Sequence, residues 1–135
     1  MADQPMSIFA LAQRGMSAQL VRMNAAASNL SNAGSLARSE GEAYRPLRAV
    51  FAQELDARSG LSSVRVTQMM REDTPATSRH EPGHPLADEN GNVWVSPVNE
   101  TAEMVEIMES ARHYQNLVEA MQTAKQLMLE TMRSS

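Results

Sequence analysis

Residues 99–132 read NETAEMVEIMESARHYQNLVEAMQTAKQLMLETM, and the reading of this stretch decides the fold. Met104, Ile107, Ala111, Tyr114, Val118, Met121, Met128 and Met132 recur three and four residues apart, with Lys125 interrupting the row. That spacing lays one apolar seam along a long helix, the heptad arrangement through which helices pair. Leu117, Ala120, Ala124 and Leu127 make a second row beside the first. The stripe is wider than one partner covers, so the helix is expected to have more than one neighbour.

The other end of the chain repeats the pattern. After Ser7, a suitable N-cap, the residues Phe9, Ala12, Met16, Leu20, Met23, Ala27 and Leu30 again step by threes and fours. The two terminal helices are expected to pair. Gly15 costs an isolated helix about 1 kcal/mol relative to Ala, and Ala25, Ala26 and Ala27 leave room for the close approach of another helix. Asn29, Asn32 and Gly34 lie where the helix should end, because Asn and Gly tolerate the left-handed geometry of a C-terminal cap.

Between the helices the composition changes, and most of the Gly and Pro residues fall in residues 35–97. Residues 35–43 read as a polar loop. Alternation at Leu47, Ala49 and Phe51 predicts a strand over residues 44–55, with Pro46 confined to its start or to an edge. Val64 and Val66 predict a second strand over residues 61–69, and Ser59-Gly60 supplies the turn of a hairpin. Pro82 and Pro85 hold the chain extended around His84, and Asn90-Gly91 is a tight-turn dipeptide before a short apolar strand that Pro97 breaks. The organisation expected is a disordered start at 1–6, a helix at 7–34, a β-rich insert with a hairpin at 35–98 and a helix at 99–133. The fold class is then mainly α with a small β insert, its terminal helices paired as a coiled coil.

Composition bounds the function. Of 135 residues, 42% are hydrophobic but only 4% aromatic, and Met occurs eleven times. Met fills irregular contacts without fixing one rotamer, which suits helix surfaces that repack on assembly and equally a Met-rich bundle core. A net charge of -4 without a long basic run argues against nucleic acid as the main partner. The chain has no Cys, hence no thiol chemistry and no disulfide. It has no apolar run of membrane-spanning length. Its first five residues lack the basic start and apolar segment of a cleaved secretory signal.

Candidate chemistry weighs little. His80 and His84 stand four apart, but Pro82, Gly83 and Pro85 exclude the helix that would make them a metal pair. The run from Asp88 to Asn92 resembles the start of a calcium loop, yet its sixth position is Val93 and its twelfth Asn99, so it reads as a turn. Ser110 and His113 lack the pocket and third group that a nucleophile and base require. Glu100, Glu103, Glu106 and Glu109 step by three near a helix start, where the dipole favours them, and could meet a basic groove on a neighbour. No catalytic, metal or cofactor residue is assigned.

The run from Arg22 to Ala33, an Ala-rich helix closing in Asn29-Leu30-Ser31-Asn32, resembles the amino-terminal signature of the bacterial flagellar rod and hook proteins. Three further matches narrow the resemblance to a short proximal-rod subunit of that axial family and extend it over essentially the whole chain. They are Tyr44-Arg45 with Val50-Phe51, the run from Glu81 to Asp88 with Gly91 and Val93, and the helix from Glu103-Met104-Val105 through Tyr114-Gln115 to Leu129. The departures are His80 in place of a usual Tyr, Asn92 in place of a common aromatic, and an extended start.

The resemblance implies a structural protein rather than an enzyme, exported by the flagellar type III apparatus without a cleaved signal. It implies assembly with copies of itself and neighbouring rod subunits into the shaft that carries torque across the periplasm, with terminal helices ordered on assembly. The assembly interface is then expected at Phe9, Met16, Leu20, Met23, Asn29, Leu30 and Asn32 of the first helix. From the last helix it takes Met104, Ile107, Ala111, Tyr114, Val118, Met121, Lys125 and Met128. A sister rod subunit and a self-contained cytoplasmic helical adaptor are the alternatives, and a histidine-dependent enzyme the weakest.

Overall fold

Ser7 opens the first helix by accepting a hydrogen bond from the Ala10 amide at 3.1 Å, the N-cap role its place in the sequence predicts. In the computed structural model, which describes residues 7–134, this helix is α1, Ile8–Ser31. The disordered start expected at 1–6 lies outside the described residues. At the far end Asn32 closes the helix by donating from Nδ2 to the Ser28 carbonyl at 2.8 Å. Gly34 rather than an Asn takes the left-handed backbone, at φ 75°, where a Cβ would be penalised.

The chain continues through β1 (Leu36–Ala37), a 3-10 turn at Glu40–Glu42, β2 (Leu47–Leu55), β3 (Ser62–Arg71), β4 (Thr77–His80) and β5 (Asn92–Val95) to α2, Glu100–Ser134. β2 and β3 form a long antiparallel hairpin in which Leu47 faces Arg71 and Leu55 faces Ser62, with an irregularity at Val50/Phe51. Its turn is closed by the Asp56 amide donating to Leu61 O at 2.8 Å, and Gly60 supplies the left-handed residue at φ 73°. β5 is the centre of a second antiparallel sheet, ordered β1-β5-β4. Asn99 Oδ1 then accepts from the Ala102 amide at 3.0 Å and caps α2.

The expectation of a mainly α molecule with coiled-coil termini is overturned. Helix accounts for 48% and strand for 23% of the described residues, the strands lying in two antiparallel sheets, so the architecture is α+β. α1 and α2 run antiparallel in contact, but the line between them is not a heptad seam of large side chains. It passes from Asn29 and Glu103, through Arg22 and Glu106, to Gly15 beneath Leu117 and Ala12 beside Met121 and Ala124.

The physical reason is that periodicity follows side-chain size, whereas burial here follows smallness. The buried residues of α1 are Ala12, Ala18, Ala25, Ala26 and Asn29. Short side chains let α1 approach α2 on one side and the β2–β3 hairpin on another. At the start of α2 the seam is displaced by one residue: Met104 is 53% exposed while Glu103 is 1% exposed.

Candidate assembly interface

The best-organised group of side chains lies where α1 ends, β2 begins and α2 begins. Asn29 is completely buried and has all four of its hydrogen-bonding positions filled. Its Nδ2 donates to Glu103 Oε1 at 2.7 Å and to Leu47 O at 3.0 Å. Its Oδ1 accepts from the Leu47 amide at 2.7 Å and from the Tyr44 hydroxyl at 2.7 Å. Tyr44 is held in turn by the Ser28 hydroxyl at 3.1 Å and by the Arg71 guanidinium 4.9 Å above its ring, an attraction between cation and π face.

Glu103 is neutralised by Arg48, whose Nη1 lies 2.6 Å from Oε1; Arg48 Nε also pairs with Glu72 at 2.7 Å. Burial opposes the Arg48 charge, but hydrogen bonds to Glu103 and Glu72 and their negative charges outweigh it, and the pKa stands above the ordinary arginine value. Glu103 Oε2 is buried without a hydrogen-bond partner among the described residues. Further along, Arg22 donates from Nε to Glu106 Oε1 at 2.7 Å. Two members of the acidic row are thus met by the chain's own arginines.

Of the expected interface residues in α1, Asn29 is buried, Phe9, Met16, Met23, Leu30 and Asn32 are half-buried, and Leu20 is exposed. In α2, Ile107, Ala111, Tyr114, Val118 and Met121 are half-buried, while Met104, Lys125 and Met128 are exposed. Phe9 and Met121 line one small cleft between the helices. Asn29 is brought to Glu103 rather than to Met104. The outer side of α2 presents Met104, Val105 and Met108, and its last turns present Leu127, Met128 and Leu129.

Sequence reasoning missed Glu103, Arg48 and Tyr44 as one group around Asn29, and Arg22 as the partner of Glu106. Helical spacing puts Glu103 and Ser110 on the face of Ile107 and both are buried, but a charged and a polar residue add nothing to a hydropathy period.

The histidines stand elsewhere. His80 Nδ1 lies 3.1 Å from Asn92 Oδ1, directly across the β4–β5 ladder. His84 Nδ1 accepts from the Leu86 amide at 3.0 Å. Ser110 donates to Glu106 O at 2.7 Å inside the packed helix, and His113 is exposed. Among the described residues no group of three His, Asp or Glu side chains is arranged to hold a metal ion.

Comparison with known proteins follows the same lines. Residues 89–134 match the family described as flagellar basal body rod FlgEFG protein C-terminal. The flagellar basal-body rod protein FlgC of Salmonella typhimurium (strain LT2) is 37% identical over 127 residues, 94% of this chain and 95% of that protein. The FlgC protein of Yersinia enterocolitica is 38% identical over the same share of each chain. The chain belongs to the FlgC family of flagellar basal-body rod proteins. FlgC of Buchnera aphidicola subsp. Acyrthosiphon pisum, 30% identical, extends the match to 96% of this chain and 97% of its own. Membership of the FlgC family makes the chain a structural subunit of the flagellar rod. The Asn29-Leu30-Ser31-Asn32 segment has a physical meaning here: Asn29 joins three elements and Asn32 closes α1. No helix among the described residues is long and apolar enough to cross a membrane.

Proposed function

We propose that this subunit builds the proximal part of the rod, in a helical array of its own copies and neighbouring rod subunits that carries motor torque across the periplasm. It reaches that place through the flagellar type III export apparatus without a cleaved signal. The observation that carries the reading is the uneven coverage of α2. One side of this helix lies on α1, yet Met108 is 63% and Leu127 58% exposed, with Met104, Val105, Met128 and Leu129 also in the open. Covering a large apolar side chain stabilises by roughly 1.5–3 kcal/mol. A row of them along a 35-residue helix makes association with like helices favourable enough to offset the entropy of assembly. Torque then needs stiffness, which close helix packing and the buried Asn29–Glu103–Arg48 group supply, and no reacting group.

In this reading residues 7–34 and 99–133 form the rod core and residues 35–98 decorate it. The assembly interface proposed is the set of α1 and α2 residues that the sequence points to, with Leu20, Met104, Lys125 and Met128 facing neighbours.

The test is complementation. A motile bacterium lacking its own FlgC-family gene, supplied with this chain carrying a small tag, should swim again and should yield basal bodies containing the tag. A folded monomer confined to the cytoplasm, with no tag in basal bodies, would reject the reading.

A further inference from the structure

α1 has a second groove that α2 does not fill. Between α1 and β3 runs an open cleft of about 580 Å³, floored by Ala10, Ala18, Val21, Val64 and Val66. Side chains this short leave room for long ones to enter. At the rim Arg65 lies 2.7 Å and Arg14 3.9 Å from Glu54, two guanidiniums on one carboxylate. The groove is an apolar trough with one positive charge in excess.

Its complement is a surface with large apolar side chains and an excess of negative charge. Three groups of neighbouring large apolar side chains stand exposed among the described residues: Met69 with Met70, Met104 with Val105 and Met108, and Leu127 with Met128 and Leu129. Met69 and Met70 adjoin Arg71, and the last group lies between Lys125 and Arg133 with only Glu130 against them. Both repeat the sign of the groove. The group at the start of α2 has the opposite sign: Glu103 and Glu106 are taken by Arg48 and Arg22, but Glu100 and Glu109 flank the three apolar side chains and are exposed, against the single charge of Arg112. This group stands on the outer side of α2, away from α1, so it meets the groove only on another molecule.

We infer that Met104, Val105 and Met108, on the outer side of α2, dock in the cleft between α1 and β3 of a second copy of this chain, with Glu100 and Glu109 turned to the arginines of its rim. The inference rests on the rod reading and specifies its contact. The two surfaces are different, so each copy whose groove is filled still offers its own α2. A contact of this heterologous kind propagates into an open helical array when its rotation does not close a ring.

The chain has no Cys, which makes a directed cross-link clean. Ser17→Cys, at an exposed position of the groove, is made in one copy, and Met104→Cys, Val105→Cys or Met108→Cys in another. Each pair is expressed together in the complemented bacterium, purified basal bodies are oxidised, and every variant is first checked for unchanged circular dichroism. For at least one of the three pairs the disulfide dimer should be about tenfold more abundant than with Thr77→Cys as the second copy, since a disulfide forms only where the two Cα atoms lie within about 7 Å. Adding Arg65→Glu to the S17C copy should lower that yield about threefold, the share of an exposed ion pair, and Glu109→Arg in the other copy should restore it. Three dimers no stronger than the control, with the chain present in basal bodies, overturn the docking and leave the rod reading intact. A yield indifferent to R65E, or cross-linking of S17C to a different rod protein instead, overturns it too. Absence of the unmutated, tagged chain from basal bodies removes the rod reading and the docking with it.

Discussion

Asn29 Nδ2 and Glu103 Oε1 lie 2.7 Å apart, and neither side chain reaches solvent. One bond between two buried groups joins the end of α1 to the first turn of α2, and through Leu47 it joins both to the start of β2. Elsewhere the helix contact is made by small residues of α1 under Leu117 and Met121 of α2 and by the partly exposed pair Arg22–Glu106, contacts that tolerate a shift at little cost. A buried polar pair does not, because a shift of one residue takes the Asn29 donor from a buried carboxylate and leaves buried amide groups of Asn29 unpaired. Register between the terminal helices is therefore set here.

Asn29→Ala removes the acceptor of the Leu47 amide and takes one partner each from Glu103, which keeps Arg48, and from Tyr44, which keeps Ser28. It should destabilise the fold by about 3 kcal/mol, within the range for breaking a buried charged hydrogen bond, read from urea unfolding followed by circular dichroism. Asn29→Asp keeps the shape but sets two carboxylates against each other. Its loss should be larger at neutral pH and shrink on acidification as one of the pair takes a proton. Equal stability of N29D at pH 5 and pH 8 would contradict the clamp.

Gly15 lies under Leu117, and a Cβ there would stand 2.9 Å from Leu117 Cδ1. Helix propensity favours Ala over Gly by about 1 kcal/mol, while the clash falls on the free end of a flexible side chain. Gly15→Ala should therefore change stability by less than about 1 kcal/mol. Gly15→Leu cannot be accommodated so cheaply and should cost about 1–3 kcal/mol. Part of that loss should return in G15L/L117A, the coupling expected of residues in contact.

These two sites mark how far the sequence could be read. Local signals were legible: the Ser7 cap, the turn before Leu61, the presence of β2 and β3, and the turn at Gly91 all depend on neighbours in the chain, although in β3 it is Ser63 and not Val64 that is buried. The β1-β5-β4 sheet was not, because β1 is two residues inside a polar stretch and becomes a strand only on meeting Val95 and Trp94. Glu103 was read as one of a row of dipole-favoured surface acids, since its partner Asn29 is 74 residues away. The two-helix seam failed for the same reason: small and polar residues that bury well carry no weight in a hydropathy period.

Asp88 gives a pH dependence. Its carboxyl is held below the usual range chiefly by the Asn92 amide, against some burial, with help from the Asn90 amide, the Trp94 side chain and the His80 charge. A carboxyl whose pKa is lower folded than unfolded contributes stability in full above its unfolded value, about 4, and loses it as pH falls through the folded one. The turn from Asp88 to Asn92 should therefore loosen below about pH 4. Amide shifts of Asn90 and Asn92 followed by NMR should titrate with Asp88, and Asp88→Asn should abolish that titration.

Val118 separates folding from assembly. It is half-buried, next to the Leu117 that covers Gly15, so Val118→Asp places a charge at the edge of the helix contact. The expected cost is about 1–3 kcal/mol, spent on the helices and not on the β2–β3 hairpin or the β1-β5-β4 sheet. Motility should be lost while the NMR signals of Val93 and Trp94 remain dispersed. Normal swimming of V118D would show that this side of α2 bears no load.

The end of α2 should distinguish a subunit in solution from one in the rod. Residues 103–121 lie against α1 and the buried polar group, whereas residues 125–134 extend past Ile8. An isolated helical end of ten residues is marginal in water, so its amides should exchange in the monomer with little protection while those near Ser110 and Leu117 exchange slowly. In purified basal bodies neighbouring copies cover Leu127, Met128 and Leu129, and the same amides should slow by about a hundredfold or more, equivalent to about 3 kcal/mol of added local stability. Exchange of residues 125–134 that is equally slow in monomer and rod would mean that the end of α2 is already fixed before assembly. Exchange that stays fast in the rod would mean that nothing packs on it there.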